Sequence, residues 1–257
     1  MLKFATDEDA HKLSVFLKNG IIPTRIKSYV LSYGFDKDFV KFWYSENENG
    51  VDIVVSLFED ALLIYADENA DLSEVSAFIN MLPFSTVSCE EKTAKALGFT
   101  TENVKQGYVY SGEKTDFTAD DLDEDRIKEA YSLISESIPG SFGSSEEEYY
   151  AFLSDFTYRK RRNKARGKCI IENDKLVSCA VTSAETETDA LLSGVATDKT
   201  LRKGGYGKRT VLSLVNALLS DNKTPYVIAL NGSAEGFYEH IGFRKDKRIA
   251  YVNRKDI

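Results

Sequence analysis

The glycines at 204, 205 and 207 set the strongest constraint on how this chain folds. They follow Leu191 to Thr197, whose apolar run ending at Val195 suits a buried strand. They precede Lys208 to Ser220, where Val211, Leu212, Leu214, Val215, Leu218 and Leu219 recur at helical spacing. The order read is strand, glycine turn, helix. The turn falls at the helix N-terminus, where the first amides have no intrahelical acceptor and the macrodipole is positive. Glycine lets an anion approach that backbone closely, so the stretch is a cradle that a diphosphate would fit.

Two familiar phosphate loops are excluded. No Gly-x-x-x-x-Gly-Lys-Ser/Thr string occurs, and no Gly-x-Gly-x-x-Gly opens a βαβ unit with an acid about 20 positions on. The string present is Arg-x-x-Gly-x-Gly, filled by Arg202, Gly205 and Gly207 and preceded by Val195-Ala196-Thr197. A second motif follows. The apolar strand Pro225 to Leu230 leads into Asn231, Ala234, Phe237, Tyr238, Glu239, Ile241, Gly242 and Phe243. Together the two motifs resemble the GNAT superfamily of acyl-CoA-dependent N-acyltransferases. In that family an Asn ends the strand, an Ala follows three residues later, and a Tyr sits four residues before Gly-Phe. Lys199 stands where many relatives carry proline, which bears on turn stiffness and not on chemistry.

The resemblance implies acetyl-CoA as acyl donor. The backbone of Val195, Ala196 and Thr197 would lie along the pantetheine arm in the manner of a strand. Arg202 would open the loop, and the amides of Lys203, Gly204, Gly205, Tyr206, Gly207 and Lys208 would hold the diphosphate. Asn231 would bond near the pantetheine; a helix N-cap before Ser233 is an equal reading. Tyr238 takes the position of the phenol that protonates the departing thiolate, and a phenol of pKa about 10 keeps its proton at neutral pH. The alternative is that Tyr238 only packs beside Phe237 and Phe243. The general base stays open. Glu185, Glu187 and Asp189 read as acids of a solvated strand-to-strand turn, and a water relay would serve as well. His240, one of the two histidines with His11, reads as a surface residue.

A chain of 257 residues is long for one such unit and has room for two domains. Its hydrophobic content of 42% is ordinary, and no apolar run approaches the roughly 20 residues of a membrane helix. The opening Met1 to Asp9 lacks the plan of a secretory signal, so the expected location is cytoplasmic. Cys89, Cys169 and Cys179 have no metal-ligand spacing and read as reduced, buried thiols, the last two on a hairpin pair. A net charge of −8 argues against general nucleic-acid binding. The basic run Arg159, Lys160, Arg161, Arg162, Lys164, Arg166 and Lys168 reads chiefly as a solvated helix C-terminus; a partner patch or attraction for cofactor phosphates are the other readings.

Taken in order, helices are expected near Asp7 to Lys18 and Pro23 to Tyr33, and strands at Phe39 to Glu46, Val51 to Glu59 and Ala61 to Ala66. A helix at Asp71 to Leu82, a strand at Phe84 to Ser88, a helix to Leu97 and a strand at Val104 to Tyr110 complete the set. After the acidic stretch Gly112 to Asp125 the same order returns. Helices near Leu122 to Ser137 and Ser145 to Lys160 precede a hairpin turning at Asn173-Asp174 and then the glycine region. Glu91 to Phe99 aligns with Glu235 to Phe243, with Gly-Phe kept and Ala94 in the tyrosine position. Tyr65 to Asp71 stands where the glycine loop should be, but carries Asp67, Glu68 and Asp71, which would repel a diphosphate. The expectation is an α/β (α+β) protein of two GNAT-like domains, each a mixed, mostly antiparallel twisted sheet flanked by helices. Residues 1–112 form a degenerate domain and 120–257 the catalytic one. Three activities fit: acetyl transfer to an amine of a small molecule or protein, transfer of a longer acyl group, or acetyl-CoA binding by a non-catalytic sensor or scaffold. The acceptor pocket is expected from Leu122 to Lys160, whether the N-terminal domain also shapes it is left open, and so is oligomeric state.

Overall fold

The computed structural model describes residues 1–138 and 145–257. The chain divides into two compact units, Met1–Tyr108 with Ile228–Gly236 and Lys245–Ile257, and Val109–Val227 with Phe237–Arg244. Both carry a mixed sheet, mostly antiparallel, flanked by helices.

The first unit begins with β1 (Lys3–Phe4), α1 (Ala10–Phe16) and α2 (Ile21–Tyr33). It continues through β2 (Val40–Asn47), β3 (Gly50–Phe58), β4 (Ala61–Ala66), α3 (Val75–Ile79), β5 (Thr86–Glu90), α4 (Glu91–Ala96) and β6 (Val104–Tyr110, the last two residues falling in the second unit). The second unit holds β7 (Asp120–Asp121), α5 (Ile127–Ser137), α6 (Glu146–Lys160), β8 (Gly167–Glu172), β9 (Lys175–Glu185), β10 (Asp189–Thr197), α7 (Tyr206–Ser220) and the start of β11 (Thr224–Ala229). The chain ends with α8 (Gly232–His240) and β12 (Phe243–Asn253).

Alternation along the strands of the first unit sends Ile53, Val55, Ile64, Val87 and Cys89 to one face, where α3 and α4 cover them with Val75, Ile79 and Ala94. Tyr29 of α2 stacks on Phe58 on the opposite face, ring centroids 4.5 Å apart. The last strand of the chain completes this unit. Ile249 to Asn253 pair antiparallel with β5, and Ala250 and Val252 join the core at 0% and 2% exposure. β6 follows β12 at such close range that a Cβ on Gly107 would stand 2.5 Å from the Lys247 carbonyl oxygen.

In the second unit the strand order is β11-β10-β9-β8-β7. α5 and α6 cover one face with Ile127, Ala130, Ile134 and Phe156 against Cys169, Cys179, Val181 and Ala196. Asn173 and Asp174, at φ of 51° and 61°, make the two-residue turn predicted between β8 and β9, with the left-handed pair that a tight hairpin requires. Cys169 and Cys179 face each other across that hairpin as buried free thiols.

The halves repeat one another in detail. Each sheet has a parallel pair of four registered positions, Ala61 to Ile64 against Thr86 to Cys89 and Asp189 to Leu192 against Thr224 to Val227. Gly98 and Gly242 each end a helix with φ of 74° and 102°, which is why both Gly-Phe pairs need glycine.

The expected helix at Asp71 to Leu82 is shortened to Val75–Ile79, because the Asp71 side chain accepts the Ser73 amide and holds the approach as a turn. The strand expected at Phe84 to Ser88 lies two residues later, at Thr86–Glu90. The stretch Gly112 to Asp125 is no free connector. Asn216 of α7 accepts the Thr115 amide at 2.9 Å and donates to the Thr115 carbonyl at 2.7 Å, and Ser213 accepts the Ala119 amide at 2.9 Å. Part of the range expected to form the acceptor pocket, residues 139–144, lies outside the described residues.

Residues 1–112 expressed alone would lack Ala250 and Val252 and leave one edge of β5 open. They are expected to give no cooperative urea transition; a sigmoidal transition matching that of the full chain would contradict the role given to β12.

Candidate functional site

The site starts at a break in a ladder. β10 pairs with β11 only through Leu192, yet runs on to Thr197 with β9 alone registered beside it. Between Ser193 and Ala196 two residues of β10 oppose one of β9, a bulge centred on Gly194 at φ 55°. A Cβ there would lie 2.8 Å from the Cδ1 of Ile134, so glycine lets α5 close over the bulge. Val195 and Thr197 are half-buried and Ala196 is buried, so this strand end offers backbone to a strand-like ligand.

Beyond the strand the chain folds back tightly. The Asp198 carboxylate accepts the Thr200 amide at 3.0 Å and pairs with Lys175 at 2.8 Å, starting a short 3-10 turn. The Gly204 amide donates to the Leu201 carbonyl, and Arg202 Nε donates to the Thr197 carbonyl at 3.3 Å. Lys203 and Gly205 are left-handed, at φ of 68° and 86°. Gly205 is the N-cap of α7 and has no side chain to cap it. Arg209 is the first residue of the helix whose amide finds an acceptor, the Gly205 carbonyl at 3.0 Å. The amides of Tyr206, Gly207 and Lys208 have none among the described residues. No acid stands in this first turn, whereas α6 opens with Glu146, Glu147 and Glu148 and fills its N-terminus with a Ser145–Glu148 capping box. Arg202 and Lys203 are exposed and Lys208 half-buried. Open amides, glycine and cations fit a diphosphate.

A chain of hydroxyls holds this cradle to the sheet. Thr210 Oγ1 donates to Ser178 Oγ at 2.9 Å and lies 2.9 Å from the Tyr206 carbonyl; Ser178 Oγ is 3.1 Å from Thr197 Oγ1 and 3.1 Å from the Ala196 carbonyl. Ser178 and Thr210 are fully buried. The first turn of α7 is thereby fixed against the last residues of β10. Gly207 sits in the gap, where a Cβ would come 3.1 Å from Thr197 Oγ1 and 3.8 Å from the Phe237 ring.

Asn231 caps α8: its Oδ1 accepts the Ala234 amide at 3.0 Å, and its carbonyl accepts the Glu235 amide. Tyr238 is 6% exposed, edge-on to Phe237 at 5.3 Å and to Phe243 at 5.5 Å, with Tyr110 behind Phe243. Burial pushes the Tyr238 phenol above its ordinary range, so it holds its proton firmly.

Two of the three acids around the β9–β10 turn, Glu185 and Asp189, are buried and not solvated. Glu185 is 0% exposed and accepts from Arg166, from Lys223 at 2.8 Å and from Thr182 at 2.7 Å; Asp189 is also buried. Four residues of strand, roughly 13 Å, separate Asp189 from the bulge region. Only Glu187 of the three is exposed. The basic run is also largely committed inside the molecule. Arg159 pairs with Asp155, Arg161 with Glu124, Arg166 with Glu185 and Asp221, and Lys168 with Asp121, while Arg162 lies over the Tyr158 ring.

The corresponding place in the first unit differs in charge. Asp67 accepts the Asn69 amide, as Asp198 accepts the Thr200 amide in the second unit, and Asp71 adds a further carboxylate that accepts the Ser73 amide ahead of α3, where the second unit has glycines and cations. Sequence reading passed over Gly194, Ser178 and Thr210. A glycine inside an apolar strand run signals Gly194, whereas nothing local links Ser178 to Thr210, 32 residues away. Among the described residues no His, Cys, Asp or Glu cluster is arranged to hold a metal, and no helix is long and apolar enough to cross a membrane.

Residues 171–252 match the family model described as FR47-like protein. No curated protein matches the chain. Similar solved structures include a GCN5-related N-acetyltransferase from Sphaerobacter thermophilus, 11% identical over 99% of this chain and 95% of that one, with a TM-score of 0.65. A tandem GNAT protein from the clavulanic acid biosynthesis pathway is 10% identical over 98% of both chains, at 0.63. A GNAT-family acetyltransferase from Colwellia psychrerythraea is 14% identical over 98% of this chain and 99% of that one, at 0.61. The likeness is one of fold.

Ser178→Ala removes the central hydroxyl of the buried chain and strands its neighbours. It is expected to lower the free energy of urea unfolding by about 1–3 kcal/mol; a change within about 0.5 kcal/mol, the usual range for a surface substitution, would show that the hydroxyls do not hold the cradle.

Proposed function

We propose that this chain, which has the GNAT fold in tandem and an FR47-like segment over residues 171–252, transfers an acetyl group from acetyl-CoA to a primary amine of a small molecule or protein. The second half, residues 120–257, carries the chemistry; residues 1–112 are a degenerate GNAT-like domain without a coenzyme site. The observation that carries the reading is the bare N-terminus of α7, set beside a strand end that β11 leaves unpaired.

Acetyl-CoA, when bound, supplies a thioester carbonyl open to attack by a neutral amine. The amides of Tyr206, Gly207 and Lys208 hold the diphosphate, with Arg202, Lys203, Gly204 and Gly205 shaping the loop. Val195, Ala196 and Thr197 align the pantetheine arm along β10. Asn231 acts through the helix it caps. Tyr238 keeps its proton on Oη and donates it as a hydrogen bond to the sulfur where negative charge develops. A phenol raised by burial stabilises that charge without giving up the proton beforehand. With Glu185 saturated by cations, the amine loses its proton to another group or to water.

Isothermal titration of acetyl-CoA tests the reading. The wild type is expected to bind, and a Gly205→Asp, Gly207→Asp double variant to lose binding; a wild type that binds nothing would overturn it. Tyr238→Phe is expected to lower kcat by about 10²- to 10⁴-fold with affinity for acetyl-CoA held. Equal activity would leave Tyr238 a packing residue and favour a different acid. Because the Tyr238 proton is held more firmly than an ordinary phenol's, kcat/KM should stay level as pH rises through about 10. A Tyr238-dependent fall centred there would contradict the effect of burial.

A further inference from the structure

Tyr110, the last residue of β6, closes against the end of α8. Its ring stands edge-on to Phe243, centroids 5.0 Å apart and planes at 72°, and Phe243 stands edge-on to Tyr238 at 5.5 Å. A Cβ on Gly242 would come 3.1 Å from Tyr110 Cε2, so the ring edge rests on the residue that ends the helix. The Gly242 carbonyl accepts the Ser111 amide at 3.0 Å and Ser111 Oγ at 3.3 Å. The stretch that continues along α7 as a strap begins by folding back over this ring. Tyr110 Oη donates to the Glu113 carbonyl at 2.8 Å, and a Cβ on Gly112 would stand 2.7 Å from that oxygen. The ring is gripped at its hydroxyl and along its edge.

The first half lacks this arrangement. Gly98 ends α4 in the same left-handed conformation, but a Cβ there would meet nothing within 4 Å, and Ala94 stands in the tyrosine position. A ring seated on the helix-ending glycine accompanies a phenol one turn earlier, and is missing where the phenol is missing. The pairing has a physical reason. A buried aromatic side chain chooses among a few rotamers, and in a close-packed interior its neighbours decide which one it keeps. Tyr238 leans on Phe243, and Phe243 takes its place from Tyr110.

We propose that Tyr110 is a positioning residue for the acyl transfer: through Phe243 its ring sets the direction of the Tyr238 phenol. The inference rests on Tyr238 acting as the acid. A phenol that donates to a departing sulfur must be held closely, since a misplacement of about 1 Å can cost about 100-fold in rate. The hydroxyl of Tyr110 is engaged by the Glu113 carbonyl and takes no part in the chemistry.

The test labels the tyrosine rings of the full chain with carbon-13 and takes as Tyr238 the signal that Tyr238→Phe removes. Tyr110→Leu, or Tyr110→Met should the leucine variant fail to fold, is expected to move or split that signal. Tyr110→Phe, which keeps the ring, is expected to leave it in place. With acetyl-CoA and n-butylamine, thiol release by the Tyr110→Leu chain should fall about tenfold in kcat at an unchanged KM for acetyl-CoA. In a Tyr238→Phe background the same substitution should bring no further fall, because the group it positions is gone. A Tyr238 signal unmoved in the leucine and methionine variants, or an equal fall in both backgrounds, would overturn the inference and leave the reading of Tyr238 standing. Undiminished kcat in Tyr238→Phe itself would overturn that reading and the inference with it.

Discussion

Three amides at the N-terminus of α7 have no acceptor among the described residues, and the rest of the second half is arranged around that opening. Gly205 supplies no capping side chain, which costs the helix only a few tenths of a kcal/mol against a serine or aspartate cap, and its left-handed φ of 86° favours glycine. Around that opening everything is fixed. The bulge at Gly194 ends regular pairing, the Thr210–Ser178–Thr197 hydroxyls tie helix to strand, and Asp198 locks the turn between them. An anion site needs open donors on a rigid frame, because donors that must reorganise lose much of their binding energy.

The first half provides the internal comparison. It has the same order of elements, the same four-position parallel pair and the same left-handed glycine after the second helix, but the loop after β4 carries Asp67, Glu68 and Asp71 and no glycine where the loop after β10 carries Arg202, Lys203, Gly204 and Gly205. Its helix α3 is five residues long where α7 has fifteen. A short helix with carboxylates at its approach offers a phosphate a weaker dipole and a repelling charge. One framework thus occurs twice with opposite charge logic.

Much of this fold is legible in the residues because local chemistry decides it. The Asn173-Asp174 turn, the glycine run before an amphipathic helix and the two Gly-Phe helix ends each announce a backbone shape that few other residues adopt. What is not legible depends on partners distant in sequence. Glu185 reads as a surface acid until Arg166 and Lys223 fold onto it, and the cations of the basic run read as free until Glu124, Asp155 and Asp221 meet them. The helix from Asp71 is overread because its apolar spacing is helical while the aspartate takes the competing local bond. The strap escapes notice for a related reason: polar composition signals a loop and says nothing about the helix that the loop will follow.

The amide nitrogen and proton shifts of the full chain, followed as acetyl-CoA is titrated in, test the central claim most directly. The account predicts large shifts at Tyr206, Gly207 and Lys208, with Asn69 and Ser73 in the first half unmoved. Shifts confined to Asp67 to Ser73, or none at the start of α7 while acetyl-CoA binds elsewhere, would contradict it.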